Sequence, residues 1–392
     1  SFIALRFASL FNIAVANDHA YAADNATFLI VDITDPASPA LIGSYETEDS
    51  IYDVEITGDY AFVATYGNGL TILNNTGPAF PELIGNYDTT ALTSDVAVNA
   101  NYACLADHSN GLVIFNITDP AVPELEGSYD TAGFAEGLTI EGDHVYVADG
   151  INGLVIVNIT DPIAPVFTGG YDTVGNAEDV VVAGGYAYVA DGDDGLMILD
   201  ISDPASPMLT GNYDTAGYAY AASVSGNYAY IADRSNGLVI LDITNPSMPI
   251  LAGSYDPSDD WVTGVAVADN YVYVADTFNG LHILRVTATD ITPPAPVTNL
   301  QETGIGSSWI RWSWIKPLDM DFKHVMVYID GVFVTNTTED FYNGTGLAEG
   351  TLHSISTKTV DFSGNIDQAS VNDSATTTGL LTISGLAGKD IT

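Results

Sequence analysis

Seven copies of one short stretch organise most of the chain. Residues 153–162 read GLVIVNITDP, residues 111–120 GLVIFNITDP, residues 195–204 GLMILDISDP and residues 237–246 GLVILDITNP. Weaker copies stand at 29–36 (LIVDITDP), 69–77 (GLTILNNTG) and 280–287 (GLHILRVT). A Tyr/Val/Ala-rich segment precedes each copy and ends at Asp24, Thr65, Asp107, Asp149, Asp191, Asp233 or Asp276, in steps of 41, 42, 42, 42, 42 and 43. A fixed period of this length outranks any single motif, because one such unit cannot bury its apolar face without its neighbours.

The strands of one unit can be read between 136 and 172. Residues 138–140 make a first short strand, closed by the turn Gly142-Asp143. Residues 144–148 (HVYVA) form a second, rich in β-formers. Asp149 to Gly153 is a hairpin loop whose Asp, Asn and Gly tolerate positive φ. Residues 154–159 are apolar at nearly every position, so this third strand is expected to be buried on both faces. Asp161-Pro162 and Pro165 break the ladder, and residues 166–171 give a fourth strand. Four antiparallel strands per unit, covered on both faces, predict an all-β chain with a seven-bladed β-propeller.

The GLVIxDITDPxxP pattern resembles the LVIVD-repeat proteins, a group of predicted β-propellers on bacterial and archaeal cell surfaces. The resemblance covers roughly residues 11–286 and implies a scaffold, a surface location and no shared chemistry.

Residues 12–15 read as the first innermost strand, and no fourth strand follows Val286 in the last unit. Rings of this kind commonly close by borrowing an outer strand from the other terminus, so residues 2–7 are expected to complete the last blade. Donation of that strand to a neighbouring subunit is the rival expectation. Residues 287–296 (TATDITPPAP) read as a stiff Pro-rich linker. From 297 to 378 the pattern changes. The strand SWIRWSW (308–314) alternates, with three Trp expected on one side, and VMVYIDGVFV (325–334) reads as a hairpin around Asp330-Gly331. PPAPVTNL, the Trp strand, DFKHVMVYIDG and GLAEGTLHSISTKTVD together resemble a fibronectin type III β-sandwich, with His353 where that family places a hydrogen-bonding Tyr. Residues 379–392 read as a tail or the start of a further module: the Asp-Ile-Thr of 390–392 repeats that of 290–292, one such domain earlier.

Composition narrows the function. Hydrophobic residues make up 47% and charged residues 15%, which suits a folded, core-rich chain. The formal net charge is −43, from 51 acidic and 8 basic residues, against the basic patches that nucleic acid or an anionic membrane would need. Much of the Asp stands at recurring turn positions such as Asp119, Asp161 and Asp203, where turn geometry wants it. The one cysteine, Cys104, takes a repeat position held elsewhere by Tyr146, Tyr188 and Tyr230, and reads as core. No stretch of about 20 apolar residues spans a membrane. The chain starts at Ser1, as a mature secreted protein or a fragment would.

Candidate chemistry is sparse: no nucleophile elbow, P-loop or dinucleotide fingerprint is present, and no catalytic residue is assigned. Aligning the innermost strands gives Asn12, Asp53, Asp95, Gly137, Asp179, Ala221 and Gly264. Asp53, Asp95 and Asp179, with Glu136 and Glu178 beside them, are candidate Ca²⁺ ligands around the channel, or else hydrogen-bond the backbone of adjacent blades. The loop holding Asp191 and Asp193 is a second Ca²⁺ candidate, or a plain hairpin. Sequons at Asn25, Asn74, Asn116, Asn158, Asn336, Asn343 and Asn372 are candidate glycosylation sites, although Asn74, Asn116 and Asn158 share a repeat position with Asp32, Asp200 and Asp242. The expected function is a non-enzymatic extracellular module for adhesion or assembly in a surface layer, sheath or filament, with protein partners or copies of itself. The alternative is a propeller enzyme or carbohydrate-binding protein using the channel mouth.

Overall fold

Apolar third strands that want cover on both faces can obtain it only by stacking sheets, and the structure shows how. The computed structural model describes residues 2–7, 9–89, 91–257, 261–286, 293–317, 319, 322–361, 365–367 and 369–379. Residues 287–292 of the expected linker and 380–392 of the expected tail lie outside these. The chain divides into two compact units, Ser1–Val286 and Thr287–Thr392.

The first unit is a β-propeller built from seven four-stranded antiparallel sheets. Their innermost strands touch in a closed circle, the first (Leu10–Ala16) meeting both the second (Ile51–Thr57) and the seventh (Val262–Ala268). In the seventh sheet the outer strand is Phe2–Leu5, paired antiparallel with Gly280–Arg285 from Phe2↔Leu284 to Leu5↔Leu281. The third strands carry the core: Leu154, Val155, Ile156 and Val157 are all buried, packed between one blade and the next. Cys104 is buried there too, and burial pushes its thiol up to about 12, so it acts as a packing residue.

Two repeat features lock one blade to the next. A Cβ on Gly169 of an outer strand would overlap the carbonyl oxygen of Pro204 in the following blade. The same holds for Gly43, Gly85, Gly127 and Gly211 against Pro78, Pro120, Pro162 and Pro246. The proline turn after each third strand therefore docks on the neighbour's glycine. The second feature is a buried carboxylate at the end of the second strand. Asp191 accepts the Thr173 hydroxyl at 2.6 Å and the Gly175 N–H at 3.0 Å, and Asp233 accepts Thr215 at 2.6 Å and Asn236 at 2.7 Å. Each staples the crossover arriving from the previous blade. In the seventh blade Pro257 stands where that threonine would be, and His282, 3.2 Å from Asp276, takes its place.

The second unit holds a three-stranded sheet (Thr298–Ile305, Trp309–Ile315, Phe341–Thr345) and a four-stranded one in the order Val332–Thr337, Phe322–Ile329, Leu352–Asp361, Val371–Thr376. Its core gathers Ile310, Trp312, Trp314, Val325, Val327 and Ile355. The expectation of three Trp on one side is corrected: Trp312 and Trp314 are buried, whereas Trp309 is 42% exposed. A strand alternates with period two, so an odd-numbered residue cannot share the face of 312 and 314. His353 hydrogen-bonds Asp330 Oδ2 at 2.7 Å and Thr351 Oγ1 at 2.7 Å.

Candidate functional site at the channel mouth

Seven innermost strands standing edge-on leave a central cavity of about 460 Å³. Its tier of Asn12, Asp53, Asp95 and Asp179 is hydrogen-bonded from blade to blade. Asp53 accepts the side-chain amide of Asn12 at 2.6 Å and the N–H of Val96 at 3.1 Å. Asp95 accepts the N–H of Leu138 at 2.5 Å, and Asp179 that of Ala222 at 2.8 Å. Each carboxylate thus spans to the next blade's strand. Gly137 has no such group because a Cβ there would stand 2.8 Å from Asp179 Cα.

Low dielectric and crowding raise these acids. Burial, then the neighbouring Asp53, holds Asp95 well above the usual carboxylate range, and the two side chains are hydrogen-bonded to each other. Burial lifts Asp179 to about 6 despite its backbone donors. Deeper in the channel, burial and then Asp53 bring Glu55 to about 7. These oxygens serve the ring. Among the described residues, no group of three or more His, Cys, Asp or Glu is placed to hold a metal ion. Asp191 is fully buried at its staple while Asp193 is exposed at the loop tip, so the structure does not bring that pair together. Asn74 and Asn116 accept the N–H two residues on at 2.9 and 3.0 Å, as Asp200 and Asp242 do at 2.9 and 2.9 Å; Asn158 does the same. Asn25, Asn336, Asn343 and Asn372 are exposed.

Where the innermost strands begin, the channel opens into a mouth of different character. Glu178 accepts Asn176 Nδ2 at 2.6 Å and the Tyr218 hydroxyl. Glu136 lies 3.3 Å from His108 Nε2, and burial followed by the charges of Glu178 and Asp149 raises it to about 7. The guanidinium of Arg234 sits 4.2 Å from the Tyr218 ring, 4.5 Å from Tyr220 and 5.7 Å from Trp261. Across the opening Phe11, Tyr52 and Tyr66 stack in series, at 5.7 and 5.0 Å between centroids. Tyr52, Glu136, Glu178 and Tyr220 line one cavity and Arg234 lies against the Tyr220 ring, so these groups meet at one opening.

A model of the LVIVD repeat matches residues 11–47, 50–89, 92–131, 132–173, 174–215, 216–257 and 262–291, more than half of the chain. The chain belongs to the LVIVD-repeat family. No curated protein matches the sequence significantly. Among solved structures, the β-propeller domain of Myceliophteria thermophila Cps50 (Swd1) is similar with a TM-score of 0.62 at 12% identity, over 73% of this chain and 98% of that one. The RRP9 WD40 repeats give 0.59 at 10%, over 72% and 97%. The computationally designed Ika8 protein gives 0.52 at 8%, over 93% and 96%. At these identities the likeness shows the fold alone.

The LVIVD signature is the buried third strand, so family membership describes the frame of this propeller and leaves its mouth unaddressed. The mouth is where its repeats disagree. Just before the channel tier they read Phe11, Tyr52, Ser94, Glu136, Glu178, Tyr220 and Thr263; just after the staple, Tyr66, His108, Gly150, Gly192 and Arg234. His108 and Arg234 keep φ of 45° and 42° at a position where Gly150 and Gly192 have 56° and 57°. Large side chains there carry a backbone cost that glycine avoids. Reading the sequence for metal ligands missed Tyr52, Tyr66, Phe134, Tyr218, Arg234 and Trp261. A column-by-column comparison of the seven repeats exposes them.

Proposed function

We propose that the protein is a non-enzymatic, extracellular surface module for adhesion or assembly. Its propeller would present the channel mouth to a partner, and its second unit, read as a fibronectin type III-like sandwich, would serve as a stalk. The observation that carries this reading is the contrast within the repeats, largely uniform where blades dock and individual around one opening. A rigid frame with a varied mouth is built for recognition. The strongly acidic composition supports a partner other than nucleic acid. Exposed sequons at Asn25, Asn336, Asn343 and Asn372 support glycosylation outside the cell. Leu125, Phe167, Leu209 and Leu251 are 51, 55, 43 and 54% exposed on successive outer strands, which supports contacts between copies. No helix among the described residues is long and apolar enough to cross a membrane. The test is antibody labelling of intact cells, together with light scattering on the purified chain. Surface labelling and a species larger than one chain are expected. Protein found only after permeabilisation would sink the proposal.

A further inference from the structure

We infer that the channel mouth is a subsite for a neutral saccharide. The argument starts from charge. A carboxylated ligand would meet Glu136 and Glu178, which line the cavity beside Tyr220, and an ammonium ligand would meet Arg234, 4.5 Å from the Tyr220 ring. Both signs at one opening select against either ion and for a neutral group that donates and accepts at adjacent atoms, which is what vicinal hydroxyls do. Arg234 Nε is buried and has no acceptor among the described residues. A hydroxyl oxygen at the mouth would supply one, while the two glutamates accept hydroxyl protons.

Shape points the same way. Trp261, Phe134 and Tyr66 are 49, 51 and 39% exposed around the opening, a large apolar outlay for a surface that could carry polar side chains. Flat rings of this kind cover the apolar C–H faces of pyranoses. The cavity beneath, about 460 Å³, lies within the usual range for small-ligand pockets. The strained backbone at His108 and Arg234 is retained for the side chains it displays at this rim.

The inference rests on the mouth being the contact face proposed above, but the two can fail separately. The experiment is a binding screen of the full chain against neutral glucan, mannan and galactan oligosaccharides, with oligoglucuronate and oligoglucosamine as charged controls. At least one neutral series should bind at least tenfold more tightly than both controls. Trp261→Ala and Glu178→Gln should each weaken that binding at least tenfold, with unchanged melting curves; Trp261→Phe, which keeps a flat ring, should weaken it less. Absence of neutral binding by the folded wild-type chain overturns the inference, as does binding untouched by these substitutions or stronger for a charged control. Adhesion to cells that persists without any glycan binding would overturn the saccharide alone and leave the surface function standing.

Discussion

Asp233 and Arg234 are consecutive residues that follow opposite rules. Asp233 is fully buried, accepts Thr215 and Asn236, and has counterparts in Asp107, Asp149 and Asp191. Arg234 reaches the mouth, lies against three aromatic rings and is the only arginine at its repeat position. One residue answers to the fold and the next to whatever approaches it. Repetition therefore separates two kinds of constraint that single-copy proteins mix. A position equal in every unit serves the contact between units, and a position that departs serves the molecule as a whole.

The harshest way to break the comparison is to remove the shared frame. Truncation of residues 1–7 strips the seventh sheet of its outer strand and bares the edge at Gly280–Arg285. Equilibrium urea unfolding should show a loss on the order of 4–5 kcal/mol or more, or no folded propeller at all. The next test separates the neighbours. Asp233→Ala leaves the buried Thr215 hydroxyl without its carboxylate acceptor and should cost about 1–3 kcal/mol. Arg234→Gly should change stability by less than about 1 kcal/mol, because relief of the left-handed backbone offsets the lost ring contacts.

A gentler probe is pH. Glu55 and Glu136 are raised to about 7 and Asp179 to about 6 in the folded chain. Raised carboxyls are protonated in the fold above the pH where they ionise in the unfolded chain. Their contribution is full below the unfolded values of about 4 and is lost as pH rises through 6 to 7. The lowered Asp276 works in the other direction, at pH below about 4. The melting temperature should therefore be higher at pH 5 than at pH 8, and Glu55→Gln should shrink that gap. An unchanged gap would show that the channel acids do not govern it. The smallest effect is expected from chelation. The channel Asp oxygens already accept N–H groups, so EDTA or added Ca²⁺ should leave the melting curve within about 1 °C.

Much of the frame was legible because period, breaker residues and apolar runs are local. The 42-residue step, the Asp-Pro turns and the third-strand pattern are enough to read a propeller of repeated sheets. The role of Gly169 was not legible, since it depends on a carbonyl from the next blade. His282 was opaque for a similar reason: its value lies in the threonine that Pro257 displaces. Asp53, Asp95 and Asp179 were visible as a set, but whether their oxygens face a cation or a neighbour's N–H is decided in three dimensions. The mouth was legible as a place, but its aromatic and cationic side chains stand only where the seven repeats differ, so a pattern defined by what the repeats share does not contain them.

The most direct measurement of the central claim compares wild-type chain with the triple variant Tyr66→Ala, Phe134→Ala, Trp261→Ala for attachment to the producing cells' surface, after matching melting curves. All three side chains are exposed, so the variant should fold as the wild type does. Loss of attachment with an intact fold is the predicted result. Attachment equal to wild type would contradict the assignment of the mouth as the recognition face.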